Sequence, residues 1–120
     1  MARLKKAEKQ RSFRLKKVYW FGQVIEVNNT EKWNRYLEKC GPLYEEEAKK
    51  NSGNFKVIGG GQPAKMVQGK NLQYAVLVEF NSLQDAIDGH NDPRYQDALK
   101  ELGENPEHTV IRNLAIIEGA

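Results

Sequence analysis

KVYWFGQVIEV, residues 17–27, decides the reading of this chain. Aromatic and β-branched side chains crowd it, which suits the pleated surface of a strand. One parity carries Val18, Trp20, Gly22, Val24 and Glu26, and the other carries Tyr19, Phe21, Gln23, Ile25 and Val27. Neither set is comfortable in water. A strand that is apolar on both sides belongs inside a sheet that needs two covers. The remaining chain supplies helices for one cover, so the other is expected from a second subunit.

QYAVLVEF, residues 73–80, repeats the pattern, with Tyr74, Val76, Val78 and Phe80 on one parity and Ala75, Leu77 and Glu79 on the other. A last strand, residues 108–117, alternates Val110, Arg112, Leu114 and Ile116 with Ile111, Asn113, Ala115 and Ile117. A short strand at residues 55–58 runs into GGGQPAKMVQGKN, where Pro63 and residues 65–67 read as a further edge strand. The three adjacent glycines do not make a phosphate loop. GxxxxGK[ST] and GxGxxG are both absent, and no helix opens directly after the glycines to aim its amides at an anion. A hairpin or bulge at the mouth of a pocket is the expectation there.

Between these strands lie helical patterns. Residues 31–50 place Trp33, Tyr36, Leu37, Cys40, Leu43, Tyr44 and Ala48 at the three-four spacing of a helix lying on a sheet. Thr30 is the expected cap, and Gly41-Pro42 predicts a kink or two helical pieces. Residues 51–54 should end the helix, with Gly53 free to turn left-handed. Asn81 and Ser82 cap the next helix, whose Leu83, Ala86, Ile87 and His90 share a face. Pro93 after Asp92 starts another piece, packed through Tyr95, Ala98, Leu99 and Leu102 as far as Gly103.

Strand, helix, strand, strand, helix, strand is an α+β, ferredoxin-like βαββαβ arrangement, with a four-stranded antiparallel sheet and its helices on one side. An open apolar sheet face would be an aggregation hazard in a monomer. Two copies packing sheet to sheet into a dimeric α/β barrel would remove it, so a homodimer is expected.

Composition agrees with one soluble domain: 120 residues, 29% charged and 39% apolar. No apolar run reaches the roughly 18 residues of a transmembrane helix, and the basic N-terminus lacks the apolar core of a signal peptide, so a cytoplasmic location is expected. Cys40 is alone and only two histidines are present, which predicts neither an intrachain disulfide nor a zinc site, and no cofactor is called for. The net charge of +3 averages two unlike parts. Residues 1–17 hold eight basic groups against Glu8, or +7, while the remainder has 11 basic against 15 acidic, or −4. A basic extension over residues 1–16 thus precedes a domain over 17–120 that lacks a nucleic-acid-binding stripe. Such an arm could tether the protein to nucleic acid or an anionic membrane, but a solvated extension is the simpler reading.

From residue 17 onward the chain also resembles domain-of-unknown-function family 1330, within the dimeric α/β-barrel superfamily. VYWFGQV, CGPLYEE, FKVIGGG, VEFNSLQDA and NDPRYQDAL carry the resemblance, in that order. It implies the ferredoxin-like fold and a pocket between sheet and helices. Members of the wider superfamily include cofactor-independent monooxygenases, lactone isomerases, dehydrochlorinases and polyketide cyclases. Two positions depart from the family pattern: Ile58 stands where an arginine is common, and His90 where an aromatic is common.

Polar residues on apolar strands are the candidates for chemistry. Glu79 and His90 would converge where the third strand meets its helix, as a proton-transfer pair: a carboxylate in an apolar cavity titrates nearer neutrality, and histidine needs little tuning. The plainer readings are a Glu79 carboxylate satisfied by Arg112 or a backbone amide, and a His90 bonded to a carbonyl. Trp20, Gln23, Tyr36, Tyr95 and Asn113 are candidate substrate-binding residues for a flat hydrophobic molecule, although aromatics equally make an ordinary core. Cys40 reads as core, and His108 as a solvated loop residue. Three functions follow: a cofactor-independent acid–base enzyme on a hydrophobic or aromatic metabolite, a non-catalytic binding or regulatory module, or a tether acting through the basic arm.

Overall fold

The computed structural model describes residues 16–50 and 54–120. Four strands, β1 (Val18–Val27), β2 (Lys56–Gly61), β3 (Tyr74–Phe80) and β4 (Val110–Glu118), form one antiparallel sheet in the order β2-β3-β1-β4. The two strands read as apolar on both parities, β1 and β3, are the central pair. Three helices accompany them: α1 (Thr30–Lys49), α2 (Leu83–Asn91) and α3 (Pro93–Leu99), with short 3-10 turns at Lys100–Leu102 and Pro106–His108. This is the ferredoxin-like α+β architecture. The basic extension falls almost wholly on residues 1–15, and Gly53 on residues 51–53, so both expectations lie outside the described residues.

A bulge settles the ambiguous parity of β1. Its register with β4 pairs Val24 with Arg112 but Glu26 with Ile111, so Ile25 is an extra residue without a partner. Such an insertion reverses the alternation. Val24 and Val27 therefore both face the helices, where both pack into the core, while Glu26 is exposed.

α1 is one uninterrupted helix through Pro42, not a kinked or divided one. The carbonyl that loses its amide partner to Pro42 belongs to Glu38, four residues earlier. Both residues are exposed, so water can satisfy it. The cap also differs from expectation: Asn29, not Thr30, accepts from the Lys32 amide at 3.1 Å. Ser82 and Asp92 cap α2 and α3 as read, accepting from the Asp85 and Arg94 amides. The glycines after Ile58 continue β2 across a bulge between Val57 and Gly59, and residues 65–67 form a loop rather than a strand.

The helices cover one sheet face with two adjoining clusters. Val24, Tyr36, Cys40, Leu43, Tyr95, Ala98, Leu102 and Val110 make one. Val18, Trp20, Phe55, Val78, Phe80 and Ala86 make the other. Trp20 Nε1 donates to the Ala86 carbonyl at 2.9 Å, fixing the indole under α2. Buried Thr109 donates its hydroxyl to the Leu102 carbonyl at 2.8 Å, and its own carbonyl accepts from the Asn28 and Asn29 amides. One residue thereby fastens the end of the helical layer, the turn into α1 and the start of β4. Arg94 bridges Asp92 to Glu46 and Glu47, and Lys39 bridges Asp97 and Glu101, tying α3 to α1 with exposed pairs of small energetic weight.

The opposite face carries Tyr19, Phe21, Leu77 and Glu79 at its centre and Ile117 toward the β4 edge. No described helix lies over it. Its central apolar residues are only half-buried and Ile117 is 45% exposed.

Candidate functional site

A cavity of about 500 Å³ opens between α1 and the covered face of the sheet. Gly22 creates much of the room. It shares the inward parity of Trp20 and Val24, yet offers no side chain; a Cβ there would stand 3.2 Å from Val76 Cγ1, 3.6 Å from Leu114 Cδ1 and 3.9 Å from the Asn113 carbonyl. Gly41 does the same from the helix, with nothing within 4 Å of its missing Cβ. The walls are apolar and aromatic, including Trp20, Trp33, Tyr44, Val76 and Val78.

One end is polar. Arg112 Nη1 donates to Tyr36 Oη at 3.0 Å, and Tyr36 Oη lies 3.0 Å from Tyr95 Oη. The guanidinium also sits over two rings, 4.9 Å from the centroid of Tyr36 and 5.7 Å from that of Trp33. Burial pushes the Tyr36 phenol far above the ordinary tyrosine value, and neighbouring Tyr95 adds to it. Tyr44 is raised for the same first reason, burial. Both stay protonated across the physiological range and act as hydrogen-bonding phenols, not bases. For Arg112 burial pulls the other way, but the oxygens of Tyr36 and Tyr95 outweigh it, so the group stays charged. The Cys40 thiol is raised by burial, which leaves it a core residue rather than a nucleophile.

The structure brings Trp20, Tyr36 and Tyr95 together in this cavity. Gln23 lies at its margin, but its parity is that of Tyr19 and Phe21, and Asn113 pairs with it on the same open face. Glu79 and His90 do not converge. Glu79 is on the open face, where Tyr19 Oη donates to its carboxylate at 3.2 Å, while His90 ends α2 on the covered side against the Tyr95 ring. The sheet stands between them, because Val78 and Phe80, the neighbours of Glu79, point into the helical core and alternation sends Glu79 the other way. Nor does Arg112 satisfy Glu79, being on the opposite face. The His90 carbonyl accepts from Gln96 Nε2 at 2.7 Å.

Arg112 is the residue that sequence reasoning passed over. Its signal was available: an arginine at the parity of Val110 and Leu114, on the side that helices cover. A second, smaller cleft of about 190 Å³ is rimmed by Glu47, Asp85, Asp88 and Asp92. Among the described residues no group of three or more His, Cys, Asp or Glu side chains could hold a metal ion, and no helix is long and apolar enough to cross a membrane.

No curated protein matches the chain. Solved structures do. A protein of unknown function from Rhodopseudomonas palustris is similar over 97% of this chain and 93% of its own, at 17% identity and a TM-score of 0.61. A dimeric ferredoxin-like protein of unknown function from a Jannaschia species matches over 87% and 98%, at 14% identity and a TM-score of 0.59. The hydroxynitrile lyase of Passiflora edulis matches over 89% and 95%, at 11% identity and a TM-score of 0.57. At such identities the likeness is one of fold. The family model described as Domain of unknown function (DUF1330) matches residues 17–120, and the chain belongs to that family.

Proposed function

We propose that this protein is a homodimeric binder of a hydrophobic or aromatic small molecule. The observation that carries the reading is the 500 Å³ aromatic cavity with a polar group set at one end, within the size range of known ligand sites. Two glycines keep it open where side chains would otherwise fill it. The dimer is supported by the half-exposed apolar face of the sheet and by similar folds described as dimeric.

Binding is favoured over acid–base turnover by the candidate pair, because the sheet separates Glu79 from His90. The cavity end offers donors and positive charge but no titrating base. If chemistry occurs there, stabilisation of a developing anion by Arg112 and Tyr36 is what the groups can supply. The Passiflora lyase shows a similar fold hosting a reaction, without assigning one here.

The test is a titration of tryptophan fluorescence with a panel of naphthalene and indole compounds, alongside light scattering. Trp20 and Trp33 in the walls should report saturable binding, and Gly22→Leu should weaken it at least tenfold while leaving the dimer intact. Absence of saturable binding by every member of the panel would sink the proposal.

A further inference from the structure

Arg112 is an expensive residue to place where it is. The guanidinium is half-buried, and a charge partly withdrawn from water is disfavoured unless a counter-charge or acceptors make up for the lost hydration. Among the described residues its partners are two neutral phenol oxygens, Tyr36 Oη at 3.0 Å and that of neighbouring Tyr95, and the faces of two rings. No ion pair with a described carboxylate holds it; the neighbours that favour its charge are Tyr36 and Tyr95. Of the five N–H donors on a guanidinium, Tyr36 and Tyr95 engage two. The ring contacts, 4.9 and 5.7 Å from the guanidinium carbon to the centroids, use up no further N–H donor.

The surroundings orient the remaining donors. Arg112 lines the cavity together with Leu114 from the same strand. Stacking on Trp33 and Tyr36 and the bond to Tyr36 fix the side chain from α1, so the fork is pre-organised before any ligand arrives. The remainder of the wall is apolar. A ligand that suits both parts has a flat apolar body and one planar anionic group able to take two parallel N–H bonds.

We infer that the occupant of this cavity is an aromatic or similarly flat monocarboxylate, whose carboxylate is received by Arg112 while its body lies among Trp20, Trp33 and Tyr44. The inference rests on the small-molecule reading above and specifies its ligand class. It also gives Tyr36 a positioning role: its hydroxyl holds the guanidinium at the angle at which the free edge meets the cavity.

The test compares naphthalene-1-carboxylate with naphthalene-1-carboxamide, which match in shape and differ in charge, against the wild-type protein by calorimetry. The acid should bind at least about tenfold more tightly, as expected for a hydrogen bond to a charged group. In Arg112→Met the acid should lose that advantage while the amide changes by less than about threefold, and Arg112→Lys should restore part of it. Because the first comparison needs no variant, it stands even if Arg112→Met folds poorly. Equal affinities in the wild type would overturn the carboxylate inference and leave the pocket reading intact, as would happen if the second subunit already neutralised Arg112. Binding of neither compound would overturn both.

Discussion

The two faces of the sheet are built from the same strands and have opposite fates. On the covered face Val18, Trp20, Val78 and Phe80 are almost wholly enclosed, and the core is nonetheless incomplete, hollowed at Gly22 and Gly41. On the open face Phe21 and Leu77 are comparable in apolar character but lie half in water. The contrast teaches that hydrophobicity along a strand records how many covers a sheet needs, whereas the missing side chains record where a cover is meant to stand off.

The largest expected effect breaks the open face. Leu77→Glu places a charge at its centre, opposite Phe21. If a second copy lies there, an unpaired carboxylate costs about 3 kcal/mol, and sedimentation should show the dimer dissociation constant rising roughly 100-fold. An unchanged constant would mean that nothing packs on that face.

The covered face should fail first in alkali. Tyr36 and Tyr44 have folded pKa values above the ordinary 10.0 through burial, so the unfolded chain releases their protons earlier than the folded one. Their contribution is whole below the unfolded value and is lost as pH rises beyond it, at about 1.4 kcal/mol per pH unit for each group. Chemical denaturation between pH 9 and 12 should show the fall beginning near 10, and Tyr36→Phe should make it shallower by one proton. A profile flat to pH 12 would contradict the burial of these phenols.

Thr109→Val sharpens the comparison at the seam where the helical layer is fastened to β4. It leaves the buried Leu102 carbonyl without its donor and should lower unfolding stability by about 2 kcal/mol. Because the change is confined to the covered side, the dimer constant should hold. The smallest effect has the opposite sign. Gly41→Ala adds a methyl to open space inside a helix and should stabilise the protein by about 1 kcal/mol, measured as a raised midpoint in urea.

Much of the fold was legible in the sequence because alternation and helical spacing are local. Trp33, Tyr36, Cys40 and Leu43 gave α1 its stripe, and Ser82, Asp92 and Pro93 marked the later helices. The errors came from compensation that is not local. Pro42 reads as a break until one knows that both it and Glu38 face water. The candidate site was half legible. Trp20, Tyr36 and Tyr95 meet in the cavity, but Glu79 and His90 were paired by nearness along the chain, and one turn of alternation placed the sheet between them. Arg112 was missed because its contacts run to Tyr36, 76 residues away, which no local pattern reveals.

Ile25, the extra residue in β1, works as a phase shifter. Downstream of it the strand presents Val27 inward beside Val110, while Arg112 is held to the hollow by its pairing with Val24 on the upstream side. Loss of Ile25 would leave Glu26 opposite Ile111 and Val27 opposite Val110 in unbroken alternation, whereas pairing Ile25 into the ladder would turn Glu26 toward the helices and Val27 outward, so it is the unpaired state of this one residue that keeps a carboxylate out of the helical layer.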